Sequence, residues 1–410
     1  YNANGTLKEE RDPDLVLTKY TYDQLKRLTR IQDANAGYTD FTYDKADNLL
    51  SVRNSLYDTT TYVYDDLGNQ LSETSPDRGQ ITYDHDIAGN VVTSVDARAK
   101  TTTYQYDALN RLITVTFDDL STINYAYDQN TNGIGRLSSV TDASGSVSWL
   151  YDSFGAVTQK QQVINGVTFT TGHSYDAAGQ LQTTTLPSGT VLVFGYTGQQ
   201  VTSVSANGQV VLSGVTYDPF GPPTGWTWND STVSNRVFDL RGLQTSHTLA
   251  TDTRTLLYDA IGQVMDIDDS RHDLTFDYDV LGRLIDFTST PVPGGAVLPG
   301  SQDYTYDKNA NRLSLNESGV VSNQTYSSTS NRMLSKTGPA PRTYNYDAAG
   351  NITGDGVHTY GYDDRGRLTS VDSGLVTYQH NGLGQRVKKD TGTVTLFVYD
   401  DAGQLVGEYD

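Results

Sequence analysis

Short stretches in which aromatic and polar residues alternate recur along the whole chain. Tyr20-Thr21-Tyr22 and Tyr104-Gln105-Tyr106 are two examples. A period of two places both rings on the same face of a β-strand. Each stretch is followed by Asp and, a few residues later, by an aliphatic residue that begins another apolar stretch. The pattern predicts antiparallel strands joined in pairs by tight turns.

These stretches belong to a repeat of about 21 residues, which we number from an anchor aromatic residue. Asp follows the anchor in 16 of 20 repeats. Gly commonly stands four residues after the anchor, an aliphatic residue six after it, and a further aromatic residue two before it. The anchors are Tyr1, Tyr22, Tyr43, Tyr64, Tyr83, Tyr106, Tyr127, Tyr151, Tyr175, Tyr196, Tyr217, Phe238, Tyr258, Tyr278, Tyr306, Tyr326, Tyr346, Tyr362, Tyr378 and Tyr399.

Each recurring spacing within the repeat has a physical role. Asp accepts hydrogen bonds from turn amides two residues on, and Gly supplies the positive φ that a tight turn needs. We call this the Tyr-Asp turn, and the turn at the opposite end of the strands the second turn. The sequence predicts an all-β array of about 20 stacked hairpins. It forms one curved or spiralling sheet over residues 1–410, with a loop excursion at about 288–303 that is rich in Pro and Gly.

Composition excludes several classes of protein. The 410 residues carry 29 Lys and Arg against 49 Asp and Glu, giving a net charge of −20. Nucleic acid is therefore a poor partner. No apolar run is long enough to span a membrane. The chain has no Cys, which excludes disulfides, thiolate nucleophiles and Cys-ligated metals.

The Tyr-Asp-x-x-Gly-Arg-Leu unit resembles the YD repeat of bacterial RHS proteins, which toxin-complex subunits and teneurins share. Tyr278–Leu284, Tyr346–Ile352 and Tyr362–Leu368 carry it most clearly. The resemblance implies a spiral of β-hairpins that forms a hollow shell, partial or complete, around a toxic C-terminal domain. It also implies a bacterial protein that is secreted or displayed on the cell surface. We interpret both chain ends as cuts in a longer polypeptide.

The anchors are expected to be structural, and no residue is predicted to be catalytic or to bind a cofactor. The anchors selected for this role are Tyr22, Tyr43, Tyr64, Tyr106, Tyr151, Tyr175, Tyr258, Tyr278, Tyr346, Tyr362 and Tyr399.

Calcium is the one cofactor for which the sequence offers a candidate site. Asp128, Asn130 and Asn132 match the start of an EF-hand loop, but Ser139 stands where a bidentate Glu is needed. A solvated turn is the favoured interpretation. Asp266, Asp268 and Asp269 are expected to form an exposed acidic face.

The sequence therefore favours a non-enzymatic β-shell scaffold. In this interpretation it encloses and delivers a C-terminal toxin or effector, and its partner is the core and toxin segment of the same longer protein. The alternative is an extracellular filament, sheath or adhesive element, in which other copies associate through exposed strand edges. The aromatic residues that recur two positions before the anchors, which we call the aromatic ladder, could then bind glycans, although core packing is the favoured explanation for them. An enzyme that acts on glycans through paired carboxylates is the least favoured possibility.

Overall fold

The computed structural model describes residues 1–294, 298 and 300–410. They form antiparallel β-strands and one short 3-10 helix at Asp372–Gly374. The chain divides into two compact units. Unit 1 comprises Tyr1–Thr82 and Val233–Val357, and unit 2 comprises Tyr83–Thr232 and His358–Asp410. The predicted all-β fold of stacked hairpins is confirmed, whereas a single array without an internal boundary stays a prediction.

The strands follow one another along the chain and are mostly five to seven residues long. They are β1 (Glu9–Arg11), β2 (Leu17–Tyr22), β3 (Leu28–Gln32), β4 (Tyr38–Tyr43), β5 (Leu49–Arg53), β6 (Thr59–Tyr64), β7 (Gln70–Ser75), β8 (Gly79–His85), β9 (Val91–Val95), β10 (Thr101–Tyr106), β11 (Leu112–Thr116), β12 (Thr122–Tyr127), β13 (Leu137–Asp142), β14 (Gly145–Tyr151), β15 (Val157–Ile164), β16 (Val167–Tyr175), β17 (Leu181–Thr185), β18 (Val191–Thr197), β19 (Gln200–Ala206), β20 (Gln209–Tyr217), β21 (Pro223–Trp228), β22 (Val233–Phe238), β23 (Gln244–Leu249), β24 (Asp252–Tyr258), β25 (Val264–Asp268), β26 (Asp273–Tyr278), β27 (Leu284–Thr290), β28 (Ser301–Tyr306), β29 (Arg312–Glu317), β30 (Val320–Tyr326), β31 (Met333–Lys336), β32 (Arg342–Thr343), β33 (Asn345–Tyr346), β34 (Ile352–Gly354), β35 (Tyr360–Tyr362), β36 (Leu368–Val371), β37 (Val376–His380), β38 (Arg386–Asp390), β39 (Val394–Tyr399) and β40 (Leu405–Tyr409).

Most Tyr-Asp turns share one geometry, which the Asp side chain stabilises. After Tyr22, the amide of Lys26 donates to the carbonyl of Asp23 at 3.1 Å. Lys26 has a φ of 67°, so a left-handed residue follows the turn, as in three-residue hairpin loops. One carboxylate oxygen of Asp23 accepts from the amides of Leu25 and Arg27, both at 2.9 Å. The predicted role of Asp is confirmed and extends to a second amide.

Strands of successive hairpins pair over a shorter stretch, and the anchor hydroxyl closes the remaining gap. Strands β3 and β4 pair only through Arg30–Gln32 and Tyr38–Asp40. Beyond the last pair, the Tyr43 hydroxyl donates to the carbonyl of Leu28 at 2.9 Å. Other anchors that donate to the return strand of the preceding hairpin include Tyr106, Tyr127, Tyr151, Tyr175, Tyr196, Tyr217, Tyr258, Tyr278, Tyr306, Tyr326, Tyr346 and Tyr399.

Where the repeat carries Arg five residues after the anchor, that side chain links its hairpin to the next one. The guanidinium of Arg27 lies 5.0 Å from the centre of the Tyr43 ring and donates to the carbonyl of Asp44 at 2.6 Å. Arg283 lies in the same way over Tyr306, at 4.8 Å. Cation–π contact and a charged hydrogen bond thus add to the hydroxyl bond at the same junction.

Two of the predicted anchors are wrong. The sequence places them at Tyr83 and Tyr378, but the turns follow His85 and His380, because the amides of Asp86 and Asn381 close them, each at 2.9 Å. The Nδ1 atoms of both imidazoles are buried and have no hydrogen-bond partner among the described residues. An imidazole is too short to reach the carbonyl that an anchor hydroxyl reaches.

The predicted loop excursion lies between β27 and β28. Strand β27 ends at Thr290 and β28 begins at Ser301, so the two ends of the predicted range 288–303 belong to strands. Gly295 and Pro299, which contributed to that prediction, lie outside the described residues.

We expect Tyr258→Phe to lower the free energy of unfolding by about 1 kcal/mol, because the change removes one intramolecular hydrogen bond. The Tyr258 hydroxyl donates to the carbonyl of Gln244 at 2.7 Å. Urea unfolding followed by circular dichroism measures the effect. The matched control is Tyr62→Phe, because no hydrogen bond is found for the Tyr62 hydroxyl within the described part of the chain. Equal losses in the two variants would contradict the proposed role of the anchor hydroxyl.

Candidate functional site

The candidate site is a seam at which late repeats contact much earlier ones. In each unit, Tyr-Asp turns near the C-terminal end of the chain lie against second turns and strands formed more than 200 residues earlier. In unit 2 the docked turns are Asp363–Gly366, Asn381–Gly384 and Asp400–Gly403. The seam therefore joins late hairpins to early ones, in addition to the side-by-side pairing of strands within each row.

In unit 1 the seam centres on Asp77, in the second turn between β7 and β8. The backbone amide of Asn331 donates to the carboxylate of Asp77 at 2.7 Å. Arg332 donates to the carbonyl of Asp77 through Nε at 3.0 Å and through Nη2 at 2.6 Å. Gly350 approaches so closely that a Cβ atom there would lie 2.3 Å from the same carbonyl oxygen. Asp77 thus binds the late turn through both its backbone carbonyl and its side-chain carboxylate.

In unit 2 the first docked turn binds Arg98. The guanidinium of Arg98 donates to the carbonyls of Asp363 and Asp364 at 3.0 and 2.8 Å. The Asp364 carboxylate in turn accepts from the amide of Asp119 at 2.8 Å and pairs with Lys100 at 3.2 Å. Charged hydrogen bonds of this kind are stronger than neutral ones, so the contact holds the late turn between two early second turns.

The second docked turn fits only because it contains Gly382. Its amide donates to the carboxylate of Asp142. A Cβ atom on Gly382 would lie 2.7 Å from a methyl carbon of Ile123 and 2.8 Å from one of Val140. Both side chains are buried, with 5% and 1% exposure. Glycine is needed here for close approach rather than for its backbone conformation.

The third docked turn lies over two buried polar side chains of β15. Lys160 and Gln162 are 2% and 1% exposed. The Lys160 ammonium donates to the carbonyls of Tyr399 and Asp400 at 3.1 and 2.6 Å, and the Gln162 amide donates to that of Tyr399 at 2.8 Å. Burial lowers the pKa of Lys160, and the nearby carboxylates of Asp401 and Asp400 oppose that shift.

Asp401 completes this contact with its side chain. Its two carboxylate oxygens lie 3.1 Å from Nε2 of His173 and 3.2 Å from Nε1 of Trp149. Burial alone would raise the pKa of Asp401, but the hydrogen bond from His173 and the charge of Lys160 outweigh it and lower the pKa. His173 and Trp149 occupy the aromatic position two residues before their anchors, so the ladder face is the face that the late turn covers.

Apolar packing accompanies these polar contacts. One buried cluster joins Ile164 and Phe169 of the early strands to Val387, Leu396 and Val398 of β38 and β39. A second contains Val115, Ile123 and Val140, with ladder aromatics such as Tyr104 and Tyr125 packed beside it. The ladder aromatics of this region therefore belong to the core, as the sequence predicts.

The structure places the candidate calcium residues in a turn whose polar groups are already used. The Asp128 carboxylate accepts from Arg111 and from the amide of Gly135, both at 2.6 Å. The side-chain amide of Asn132 donates to the carbonyl of Tyr151 at 3.1 Å. Asp128, Asn130 and Asn132 all have a positive φ, which matches the solvated-turn interpretation. The described residues contain no group of three His, Cys, Asp or Glu side chains placed to hold a metal ion.

The expectation of an exposed acidic face at Asp266, Asp268 and Asp269 is wrong for Asp269. That residue is 7% exposed, and its carboxylate pairs with Arg254 at 2.6 Å and with His272 at 2.8 Å. Its carboxylate is buried, whereas the Arg254 side chain that pairs with it is partly exposed. In the described part of the chain, no helix is long and apolar enough to cross a membrane.

The structure places the selected anchor tyrosines at the ends of strands, immediately before Tyr-Asp turns, and does not gather them into one site. Sequence reasoning did not find Asp77, Arg98, Lys160, Gln162 or Gly382 as seam residues. Their partners lie more than 200 residues away, so no local spacing indicates them.

Comparison with known families agrees with this architecture. The teneurin YD-shell model matches residues 1–139 and 244–406, about three quarters of the chain. The RHS repeat model matches residues 175–210. The chain therefore belongs to the teneurin YD-shell family. No curated protein gives a significant match.

Solved structures of toxin complexes share the fold. The chain is 18% identical to the crystal structure of TcdB2-TccC3-TEV, with a TM-score of 0.78 over 96% of this chain and 25% of that one. The chain is 19% identical to TcdB2-TccC3-Cdc42, with a TM-score of 0.80 over 94% of this chain and 24% of that one. It is 16% identical to the Photorhabdus luminescens Tc holotoxin pore, with a TM-score of 0.68 over 95% of this chain and 26% of that one. The chain spans about a quarter of the length of these proteins.

We expect the protein to lose stability in acid as pH falls below about 4, the ordinary pKa range of Asp. Hydrogen bonds from Asn90 and from the backbone of Arg111 lower the pKa values of the turn residues Asp86 and Asp107, and the pKa of Asp401 is also lowered. A carboxyl with a lowered pKa contributes stability that is present above its unfolded pKa and is lost as pH falls through the folded value. Urea unfolding between pH 3 and 7 tests this, and constant stability throughout would contradict it.

We expect Gly382→Ala to destabilise unit 2 by about 1–3 kcal/mol, the usual cost of overpacking, because the new methyl group would meet Ile123 and Val140. Gly172→Ala is the matched control. Its Cβ atom would come no closer than 3.8 Å to Thr185, and it should have little effect. Chemical unfolding of both variants measures the difference, and a neutral Gly382→Ala would show that the late turn does not dock.

Proposed function

We propose that the chain is a non-enzymatic scaffold that forms part of the wall of an RHS-type shell. The seam is the observation that carries this proposal. Strand pairing joins hairpins side by side into one row, whereas the seam joins a late row of hairpins to an early one. A wall needs contacts between rows as well as within them, and the seam residues supply those contacts.

We further propose that this wall encloses a C-terminal toxin or effector that follows residue 410 in a longer secreted or surface-displayed polypeptide. Membership of the YD-shell family supports a scaffold. The structures of similar fold are Tc toxin complexes, of which this chain matches about a quarter. The cargo and the core segment of the same polypeptide would then be the partners of the chain.

The polar groups of the seam support a structural role over a catalytic one. Lys160 and Gln162 are buried against main-chain carbonyls, where no substrate reaches them. In the His173–Asp401 contact, Nε2 of the imidazole faces the carboxylate. The other ring nitrogen, Nδ1, lies 3.1 Å from the hydroxyl of Thr184. The carboxylate also binds Trp149, so the group is a set of satisfied hydrogen bonds.

The alternative function, an extracellular filament or adhesive element joined through strand edges, has weaker support. Strand β1 has three residues, all of them charged and exposed. Short, charged edge strands discourage pairing with another chain. The glycan-binding variant of this alternative is weakened in unit 2, where Tyr104, Tyr125 and Trp149 pack beside the buried cluster.

The test is electron microscopy of the natively expressed polypeptide, combined with its intact mass and with limited proteolysis. We expect a closed hollow particle whose chain continues past Asp410 and whose added segment resists protease. Gly382→Ala should weaken the seam and expose that segment, whereas Gly172→Ala should leave it protected.

Two outcomes would overturn the proposal. Extended polymers of a chain of about this length would favour the filament. A continuing segment that protease digests rapidly in the wild-type particle would mean that the wall does not enclose it.

A further inference from the structure

Three adjacent strands of unit 1 carry a row of charged side chains, which we call the charged row. Arg30 of β3 and Arg53 of β5 lie directly opposite Asp40 of β4. The Asp40 carboxylate accepts from Nε and Nη2 of Arg30 at 2.5 and 3.0 Å and from Nη2 of Arg53 at 2.6 Å. Phe41 belongs to the aromatic ladder, and neighbouring residues of a strand point to opposite faces. The charged row therefore lies on the face opposite the ladder.

The repeat itself does not require charge at these positions. Asp40 stands three residues before its anchor, where Thr is the most common residue, as at Thr61, Thr103 and Thr255. The Arg30 and Arg53 side chains are 42 and 43% exposed, and ion pairs that solvent reaches add little to stability. The charged row is thus a departure from the repeat that the fold does not explain.

The charged row lines two adjoining concave surfaces of unit 1, which together we call the dish. The larger has a volume of about 570 Å³, and hydroxyl side chains line it beside the row: Thr21, Thr29, Thr42, Ser51 and Thr59. The smaller has a volume of about 240 Å³ and adds Tyr38, Tyr57 and Lys308. Sites for organic ligands usually have volumes of roughly 300–1,000 Å³, so the dish is large enough to hold more than a small inorganic ion.

Each guanidinium of the dish lies beside an exposed tyrosine ring. Arg30 lies 4.5 Å from the centre of the Tyr38 ring, and Arg53 lies 5.5 Å from that of Tyr57. Tyr38 and Tyr57 are 39 and 75% exposed. Tyr57 also has a φ of 71°, a left-handed conformation that is uncommon for a residue with a bulky side chain. The second turn thus presents an aromatic ring where Gly or Asn would fit its backbone better.

The chemistry of the dish indicates the ligand that it fits. Three cations, Arg30, Arg53 and Lys308, line it against one carboxylate, so the dish favours an anion. The net charge of −20 matters less at short range, because physiological salt screens charges beyond about 8 Å. A guanidinium has five N–H donors, and Asp40 occupies only some of those on Arg30 and Arg53. The remaining donors suit a carboxylate, with which Arg forms strong hydrogen bonds.

The other groups of the dish suit a sugar. A hydroxyl side chain both donates and accepts hydrogen bonds, as the hydroxyl groups of a sugar do. A tyrosine ring offers an apolar face, against which the C–H groups of a sugar ring can pack. A ligand that carries a carboxylate, several hydroxyl groups and an apolar ring face uses all three kinds of group in the dish.

We propose that the dish binds an acidic carbohydrate. The sugar carboxylate binds Lys308 and the N–H donors of Arg53 that Asp40 does not use. The sugar ring packs against Tyr57, and its hydroxyl groups bind the Thr and Ser hydroxyls of the larger concave surface. This inference goes beyond the proposed function, because a scaffold needs no ligand on this face and the binding does not depend on a cargo.

The first experiment is isothermal titration calorimetry of the full chain with three acidic sugars: tetragalacturonate, a hyaluronan tetrasaccharide and 3′-sialyllactose. We expect at least one of them to bind. The methyl ester of that sugar, which keeps the rings and hydroxyl groups but lacks the charge, should bind at least about tenfold more weakly, because it loses charge-assisted hydrogen bonds. Binding of the acid should also weaken as salt is raised.

The second experiment locates the site with variants. Arg53→Gln should weaken binding at least about tenfold through the loss of charged hydrogen bonds, while Asp40 keeps both bonds from Arg30. The matched control is Arg78→Gln, which removes the same charge from an Arg of unit 1 that lies outside the dish and pairs with Glu73. It should bind like the wild type.

The role of the ring is tested at Tyr57. Tyr57→Asn removes the ring and places at this turn a residue that tolerates a positive φ, so it should fold and bind more weakly. Tyr57→Phe keeps the ring and should bind like the wild type. Circular dichroism checks the folding of every variant.

Several outcomes would overturn the proposal. One is the absence of binding to all three acidic sugars, and another is equal affinity for the acid and its methyl ester. Equal losses in Arg53→Gln and Arg78→Gln would show that binding does not occur in the dish. A tetraglutamate peptide that binds as tightly as the sugar would show that the dish recognises charge alone. Each of these results leaves the protease-protection experiment unaffected, so the two proposals fail separately.

Discussion

The hydrogen bond from an anchor tyrosine hydroxyl to a carbonyl of the preceding hairpin is the interaction on which the rest of the structure depends. Strands within a hairpin pair up to the anchor, but strands of successive hairpins pair over only three positions at β3 and β4. The hydroxyl closes that gap, at 2.9 Å in the case of Tyr43. The unused carbonyl is thereby satisfied, and the hairpin is fixed to the one before it.

The turn chemistry follows from the same constraint. An anchor can reach its carbonyl only if the strand ends at a fixed point, and the Asp side chain sets that point by binding two turn amides. His85 and His380 show what happens where the hydroxyl is absent. The turn still forms at the same position, so the Asp or Asn of the turn, and not the anchor, determines where the chain reverses.

The seam uses the same turns for a second purpose. Asp363, Asn381 and Asp400 begin Tyr-Asp turns like those of other repeats, yet all three turns lie against early hairpins. The turns at Asn381 and Asp400 bury the face that carries the aromatic ladder. In those places the sheet gains a hydrophobic core on one face, around Val140 and Val398. Elsewhere the ladder aromatics are half-buried, which is expected of a single-layer sheet. The architecture thus derives its strongest core from contact between rows.

The sequence by itself determined the all-β hairpin array, the Asp turn and the left-handed position after it, because each depends on residues within a few positions of one another. It placed most anchors correctly but missed His85 and His380. In both places the Tyr two residues earlier, Tyr83 or Tyr378, fits the spacing of the repeat and was chosen instead. Only the tertiary structure decided which turns dock, that Lys160 is buried and that Gly382 must lack a side chain. Those properties depend on contacts across more than 200 residues, and the repeat gives nearly the same local signal in a docked turn as in a free one.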